Sequence, residues 1–379
     1  MKVVYLIAGT YRSGGMERVL AGKANWLVRN GVADVLIVTT DQRDMAPFFC
    51  MDARIRCIDL GINYELNNGG SFLNKLLHYP LRQIRHRFRL ACLLKLERAD
   101  VVVSMFCNDA PFLPRIKDGS HKLLEIHFSR YKRLQYGRSG LWALADRWRN
   151  RNDKRIAARY ERFVVLTEED RGYWEADAPM PNICVIPNAS PFGRVERSDR
   201  PADSVHTVLA VGRYNSQKAF DRLIDAWTRI EDRQGWRLRI VGDGELRDEL
   251  QRQIESFGLT DSVSLGHAEA DVRTVYANAD IYAMTSLYEG LPMVLIEAQT
   301  AGLPIVSMAC KCGPKDVVSE GEDGFLVPEG DIGVMASRLQ LLMNDAELRR
   351  RMSEAAYRNS GRFAQEQIMK QWKTLLEEL

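Results

Sequence analysis

Thr207-Val208-Leu209-Ala210-Val211-Gly212-Arg213-Tyr214-Asn215-Ser216-Gln217-Lys218-Ala219-Phe220-Asp221 places an apolar run ahead of a glycine-led polar loop and the start of an apolar helical pattern. A short continuous run that breaks at glycine before a helix is how a strand buried on both faces reads. The same unit recurs through the back half at Leu238–Val241, Val263–Leu265, Ile281–Met284, Ile305–Ser307 and Gly324–Val327. The front half carries it at Val3–Ala8, Val35–Thr39, Val101–Met105, Lys122–Ile126 and Phe163–Leu166. Strands alternating with amphipathic helices predict α/β architecture: two doubly wound, Rossmann-like parallel-sheet domains.

A chain of 379 residues is long enough for two cores. Its 46% hydrophobic and 27% charged composition excludes a disordered polymer. The stretch 186–204, with Pro187, Asn188, Pro191, Gly193 and Pro201 and no period, is the candidate linker. It divides the chain into an N-terminal domain, 1–190, and a C-terminal domain beginning at 191. In such sheets the ligand loops follow the C-terminal ends of strands, so two facing domains are expected to hold the chemistry in a cleft.

The net charge of +3 conceals an asymmetry, since residues 1–190 carry 30 Lys+Arg against 20 Asp+Glu and the remainder 23 against 30. A basic front half suits nucleic acid, an anionic membrane or phosphorylated ligands. Lys75, Arg82, Arg85, Arg87, Arg89, Lys95 and Arg98 stand among Leu and Phe as a basic amphipathic helix or helix pair, which is a solvated face, a surface for anionic headgroups or a nucleic-acid contact. The stretch Arg130–Arg162 interleaves Tyr131, Tyr136, Trp142, Trp148 and Tyr160 with more basic residues, as a helical core face or an interfacial anchor. Val3–Ala8 is too short for a signal-peptide core and reads as the first strand. Seven scattered cysteines without a CxxC fit reduced thiols in a cytosol and no zinc site.

Four loops carry residue types with chemistry. Gly14-Gly15 opens a helix after the first strand, either as an anion cradle of unhindered N–H groups or as a backbone turn. Arg213 and Lys218, on the loop that begins at Gly212, can address one diphosphate from two sides or lie on an ordinary exposed loop. Gly242-Asp243-Gly244 reads as a tight turn, because Arg247 stands where a dinucleotide fingerprint needs glycine. Glu289 precedes a helix whose start Gly290, Leu291, Pro292 and Met293 would form, and Glu297 follows eight residues later, two turns along on nearly the same face. Carboxylates so placed accept hydrogen bonds from sugar and ribose hydroxyls.

These segments, with Ala301-Gly302-Leu303-Pro304-Ile305-Val306, resemble the family 4 retaining glycosyltransferases of the GT-B fold over nearly the whole chain. The resemblance implies that Gly14, Gly15, Gly212, Arg213 and Lys218 hold a donor diphosphate. Glu289 would hold the donor sugar and Glu297 the ribose, with Gly290, Leu291, Pro292 and Met293 adding backbone contacts. Gly266, His267 and Ala268 would frame the base, and His127 would stand near the reacting sugar. It also implies that residues 364–379, with Trp372, return to the front domain, leaving 191–363 as the donor domain and coupling the halves as a hinge.

The expected activity is metal-independent transfer, with retention of configuration, from a nucleotide-diphosphate sugar, UDP being the commonest choice. The Gly14–Leu20 and Asp59–Tyr64 stretches are similar to capsular and exopolysaccharide transferases. A glycan or polyprenyl-diphosphate-linked saccharide is therefore the expected acceptor, at the inner face of the cytoplasmic membrane, with no cofactor, metal or nucleic acid. A GT-B sugar-nucleotide epimerase would leave the basic front half unexplained, and a sugar-nucleotide binding protein would tolerate loss of Glu289.

Overall fold

The computed structural model describes residues 1–64, 72–132, 141–195, 205–269 and 271–379. The chain divides into two compact units, Met1–Ala189 with Ile368–Leu379, and Ser190–Gln367. The stretch 196–204 of the candidate linker lies outside the described residues, as does Tyr136.

In the first unit the described strands are β1 (Lys2–Ile7), β2 (Asp34–Thr39), β3 (Arg56–Asp59), β4 (Val101–Ser104), β5 (His121–Glu125), β6 (Arg162–Val165) and β7 (Ile183–Val185). They form one sheet in the order β3-β2-β1-β4-β5-β6-β7, parallel at every pairing. Val4 and Leu6 of β1 enter the core on one face, while Val3, Tyr5 and Ile7 enter the core on the other. Burial on both faces is why this strand is a continuous apolar run rather than an alternating one.

Among the described residues up to Ala189 the α-helices are α1 (Gly15–Arg29), α2 (Phe72–Glu97), α3 (Leu141–Ala157) and α4 (Glu168–Glu175). The basic segment is a single helix, α2, with Pro80 inside it rather than a helix pair. In the second basic stretch Tyr160 is core while Trp148 is two-thirds exposed, so one aromatic serves packing and another faces water. From Ile368 onward, helix α12 (Gln365–Glu377) belongs to this unit, and Ile368, Met369, Trp372, Leu375 and Leu376 pack with β1 and α1.

The second unit repeats the plan with β8 (His206–Val211), β9 (Trp236–Val241), β10 (Val263–Gly266), β11 (Ile281–Met284), β12 (Ile305–Met308) and β13 (Gly324–Val327), ordered β10-β9-β8-β11-β12-β13. Its helices are α5 (Phe220–Thr228), α6 (Arg247–Ser256), α7 (Val272–Ala277), α8 (Met293–Thr300), α9 (Pro314–Val317), α10 (Ile332–Asn344) and α11 (Ala346–Ser360). Fully buried Trp227, with Leu223, Ile224 and Leu339, anchors the helical layer on the sheet.

Each sheet reverses its direction of winding once, between β1 and β4 in the first unit and between β8 and β11 in the second. At such a point the loops after two neighbouring strands diverge to opposite faces and leave room for a ligand. Each apolar run read as a strand falls on one, with ends displaced by no more than two residues. Two strands escaped that reading, β3 and β7. Both are sheet edges, β3 largely exposed and β7 only three residues long, so neither carries the doubly buried signature.

Candidate active site

The loop after β8 and the loop after β11 meet because those two strands are hydrogen-bonded neighbours. Gln217 O accepts from Leu287 N at 2.8 Å, Lys218 O accepts from Thr285 Oγ1 at 3.0 Å, and Gln217 Nε2 donates to Tyr288 O at 2.9 Å. This stitching sets Lys218 Nζ 2.7 Å from Glu289 Oε1, with both side chains mostly shielded from water. Ala219, the next residue, takes a left-handed conformation (φ 47°, ψ 48°) at the N-cap of α5. A non-glycine residue costs about 1–3 kcal/mol there, and the surrounding hydrogen bonds must hold the turn. Arg213 is exposed at the mouth of the same loop.

Gly242 is fixed by how closely two backbones approach, whereas a Cβ on Gly212 would meet the Lys218 side chain, with Cε 3.0 Å away. A Cβ on Gly242 would stand 1.9 Å from Gly212 O, so the loops after β8 and β9 touch through main chain alone. The turn read at Gly242 is therefore a close approach between adjacent loops, locked by Tyr214 N donating to Asp243 O at 2.9 Å.

Glu289 sits on the loop after β11, and α8 begins only at Met293, with Pro292 as its N-cap. The expectation that Glu289 and Glu297 share one helix face is corrected by this start. Pro292 lies before the first turn, and the first helical N–H groups are those of Met293 and Val294. Gly290 and Leu291 belong to the loop. The loop holds its position because Glu289 N donates to Lys311 O at 3.3 Å, and Pro292 packs where a Cβ on Gly313 would come within 2.3 Å of its Cδ. Glu297 is 3% exposed and accepts a 2.7 Å hydrogen bond from Tyr276 Oη. The carboxylates are thus different groups, Glu289 ion-paired at the loop and Glu297 hydrogen-bonded in the interior. Tyr276 was not singled out from sequence, since a tyrosine on a short helix looks like any core aromatic.

The segment after β10 is held by a residue the sequence treated as turn. Asp243 accepts from His267 Nδ1 at 2.8 Å and from Ala268 N at 3.0 Å, and these bonds hold its carboxyl below the usual carboxylate range. Gly266 O accepts from Tyr214 Oη and from Arg247 Nη1. His267 keeps most of its ring exposed, whereas the Ala268 N–H is already engaged.

In the first unit Gly14 is the N-cap of α1 and Gly15 its first residue. The Glu17 carboxylate occupies the space a Cβ on Gly14 would need, but a Cβ on Gly15 would meet nothing within 4 Å. The Gly14 clash is with the movable end of a flexible side chain, so packing within the chain requires glycine at neither position and leaves 15 open to a guest. His127 follows β5, its side chain 4% exposed, and Nε2 lies 3.2 Å from Glu125 Oε1 at an angle that leaves that nitrogen without a formed hydrogen bond. Sequence reasoning missed Glu125 and its 2.5 Å partner Lys23. The available signal was a charged residue inside an otherwise apolar strand, Leu123-Leu124-Glu125-Ile126, and a lysine on the apolar stripe Leu20, Ala24, Leu27.

Two family models match this chain, Glycosyltransferase Family 4 over residues 13–190 and Glycosyl transferases group 1 over 195–359. The chain belongs to the family 4 glycosyltransferases. This transferase is 37% identical over 220 residues to the amylovoran biosynthesis glycosyltransferase AmsD of Erwinia amylovora, a match spanning 57% of the chain and 62% of that protein. It is 24% identical to the GalNAc-alpha-(1->4)-GalNAc-alpha-(1->3)-diNAcBac-PP-undecaprenol alpha-1,4-N-acetyl-D-galactosaminyltransferase of Campylobacter jejuni, over all of this chain and 99% of that one. Among solved structures, Anabaena Alr3699/HepE in complex with UDP-glucose superposes with a TM-score of 0.75 at 18% identity, each chain fully covered. The two sheets and this likeness make the fold of this transferase GT-B.

Proposed function

We propose that this transferase moves a sugar, with retention of anomeric configuration, from a nucleotide-diphosphate sugar to a saccharide acceptor in the assembly of a bacterial surface polysaccharide. The observation that carries the reading is the Lys218–Glu289 pair at the point where the second sheet reverses. Cleaving a sugar–diphosphate bond places negative charge on the leaving oxygen, which a cation aimed at it stabilises in the transition state. Lys218 and exposed Arg213 supply that charge from the chain itself, so the proposed site works without a metal ion. A donor exchanges the Lys218–Glu289 contact for two others, diphosphate on the ammonium and sugar hydroxyls on the carboxylate. Gly15, which the chain's own packing does not require, would receive phosphate at the start of α1. Glu297, held by Tyr276, would receive the ribose hydroxyls. His267 and the backbone near Gly266 would edge the base. No side chain is assigned as nucleophile. Retention is ascribed to same-face attack, with the leaving phosphate taking the acceptor's proton.

The donor is proposed to be a UDP-sugar, a choice supported by the UDP-glucose bound in the Anabaena structure. The acceptor is proposed to be lipid-linked, supported by the undecaprenol-linked substrate in the Campylobacter relative's name. Peripheral contact with an anionic inner leaflet belongs to the same proposal. Among the described residues no helix is long and apolar enough to cross a membrane. On α2, however, Leu81, Ile84 and Phe88 are each more than 60% exposed at spacings that place them on one face, with exposed Arg85 and Lys95 beside them.

A thermal-shift series with UDP, GDP, ADP and their sugars tests the donor. A ligand at a hundred times its Kd adds about 2.7 kcal/mol of stability. UDP and a UDP-sugar are expected to raise Tm above the others, and an equal absence of shift with every nucleotide would overturn the donor assignment.

A further inference from the structure

Four side chains from three elements meet inside the first unit with no role in the chemistry above except for His127. Lys23 of α1 is 4% exposed and Glu125 of β5 is 1% exposed, and their charged atoms stand 2.5 Å apart. The Lys23 ammonium also lies 3.5 Å from the centroid of the Trp372 ring on α12, and farther off, at 5.7 Å, over Tyr5. On its other side Glu125 Oε1 is 3.2 Å from His127 Nε2. Tyr5 and Cys184 also feel the Glu125 charge.

Such an arrangement is costly to build. Burying an ion pair forfeits several kcal/mol of hydration per ion, and apolar residues of similar volume serve stability as well or better. Burial alone would drive the Glu125 carboxyl upward, and the attraction of the Lys23 ammonium 2.5 Å away leads the effects that hold it down instead. A permanent buried carboxylate therefore faces one ring nitrogen of the histidine. The contact is electrostatic rather than a formed hydrogen bond, and for a neutral imidazole the field of that carboxylate favours the proton on Nε2, which leaves the opposite nitrogen a bare acceptor.

We infer that Glu125 is a positioning residue for His127, fixing its proton on Nε2 and its ring orientation, and that Lys23, capped by the Trp372 ring, keeps Glu125 ionised for that task. Nδ1 of His127 is then the acceptor presented to a hydroxyl of the bound sugar or acceptor. The inference rests on the transferase reading only for that final contact. The Glu125–His127 relation is a property of the free chain.

The test is nitrogen-15 spectroscopy of the histidine rings in the full-length protein at neutral pH, with His127 assigned by its loss in His127→Gln. The expected wild-type signal is a protonated Nε2 with a bare Nδ1, and a ring protonated on both nitrogens would overturn the inference. A bare Nε2 would overturn the inference without any variant having to fold. The double variant Lys23→Met/Glu125→Leu removes both charges together and leaves neither ion buried alone. In it the Nδ1-protonated form of His127 should rise from undetectable to a sizeable fraction, and a spectrum identical to wild type would also overturn the inference. In donor turnover the same variant should lose on the order of tenfold or more in kcat with KM for the sugar nucleotide unchanged. A rise in KM at constant kcat would show a binding role instead and count against positioning. Failure of the transferase reading would appear separately, as absence of nucleotide binding in the thermal-shift series.

Discussion

Lys218 and Glu289 form a 2.7 Å ion pair across 71 residues of sequence, each supplied by a loop that leaves one of two adjacent strands, β8 and β11. The pair neutralises in the free chain the two groups proposed to divide the donor between them. Lys218→Ala should therefore lower donor turnover by two to three orders of magnitude, about 2.7–4 kcal/mol of transition-state stabilisation. Glu289→Gln should lower it comparably, and the double variant should lose much less than the sum, because the two act on one ligand. Release of nucleotide diphosphate in steady state measures all three, and wild-type turnover in Lys218→Ala would remove the diphosphate assignment.

Gly15 and Gly242 should respond to alanine in opposite ways. Gly242→Ala drives a methyl into Gly212 O and is expected to cost about 3 kcal/mol or more in stability. Gly15→Ala enters open space on the first turn of α1, where alanine favours a helix more than glycine does, so Tm should hold or rise slightly. Nucleotide affinity should nevertheless fall by tenfold or more if phosphate approaches that turn. Denaturation and nucleotide titration of the two variants decide the matter.

Acid stability should reflect two buried groups of opposite sign in the first unit. Burial holds His86 near 4, so between about 6.5 and 4 the unfolded chain binds a proton that the fold refuses. Its contribution is intact above that window and falls by about 3 kcal/mol across it as pH drops. Burial raises Asp109 to about 6, against a partial opposing effect of the nearby Ser104 hydroxyl. The fold keeps that proton between about 4 and 6 while the unfolded chain gives it up, so this contribution grows as pH falls, by a similar amount. Asp109→Asn should steepen the loss of stability on acidification from pH 6.5 to 4.5, and His86→Phe should flatten or reverse it. Urea midpoints at three pH values suffice to see this.

Membrane contact through α2 should depend on residues that contribute little to folding. Ile84→Ser with Phe88→Ser changes two side chains about two-thirds exposed and should leave Tm within a degree or two while abolishing binding to anionic vesicles. Arg85→Glu should weaken binding by about 1 kcal/mol per charge changed and reduce its salt dependence. Equal sedimentation with neutral and anionic vesicles would eliminate the surface.

The legibility of this chain in its sequence follows the range of the interactions involved. Val208–Ala210 and Val101–Val103 announced themselves because a strand covered on both faces must be apolar at every position. Arg56–Asp59, at a sheet edge with one side in water, carried no such demand and went unread. Glu289 and Glu297 are legible in the sequence but their relation is not, because an eight-residue spacing has a helical meaning only if the helix spans it, and α8 starts at Met293. Asp243, Tyr276 and Lys23 were passed over because the groups they serve, at His267, Glu297 and Glu125, lie 24, 21 and 102 residues away.

The sequence by itself determined the two parallel-sheet units, the glycine-led loops and the residue types at the donor site, since periodicity and backbone permissiveness are local properties. Tertiary structure alone decided that β8 lies beside β11 and so joins Lys218 to Glu289, and that α1, β5 and α12 converge on one buried charge. The order of strands in a sheet is set by which helical and apolar faces cover one another once the chain is folded, and no stretch of a dozen residues holds that information.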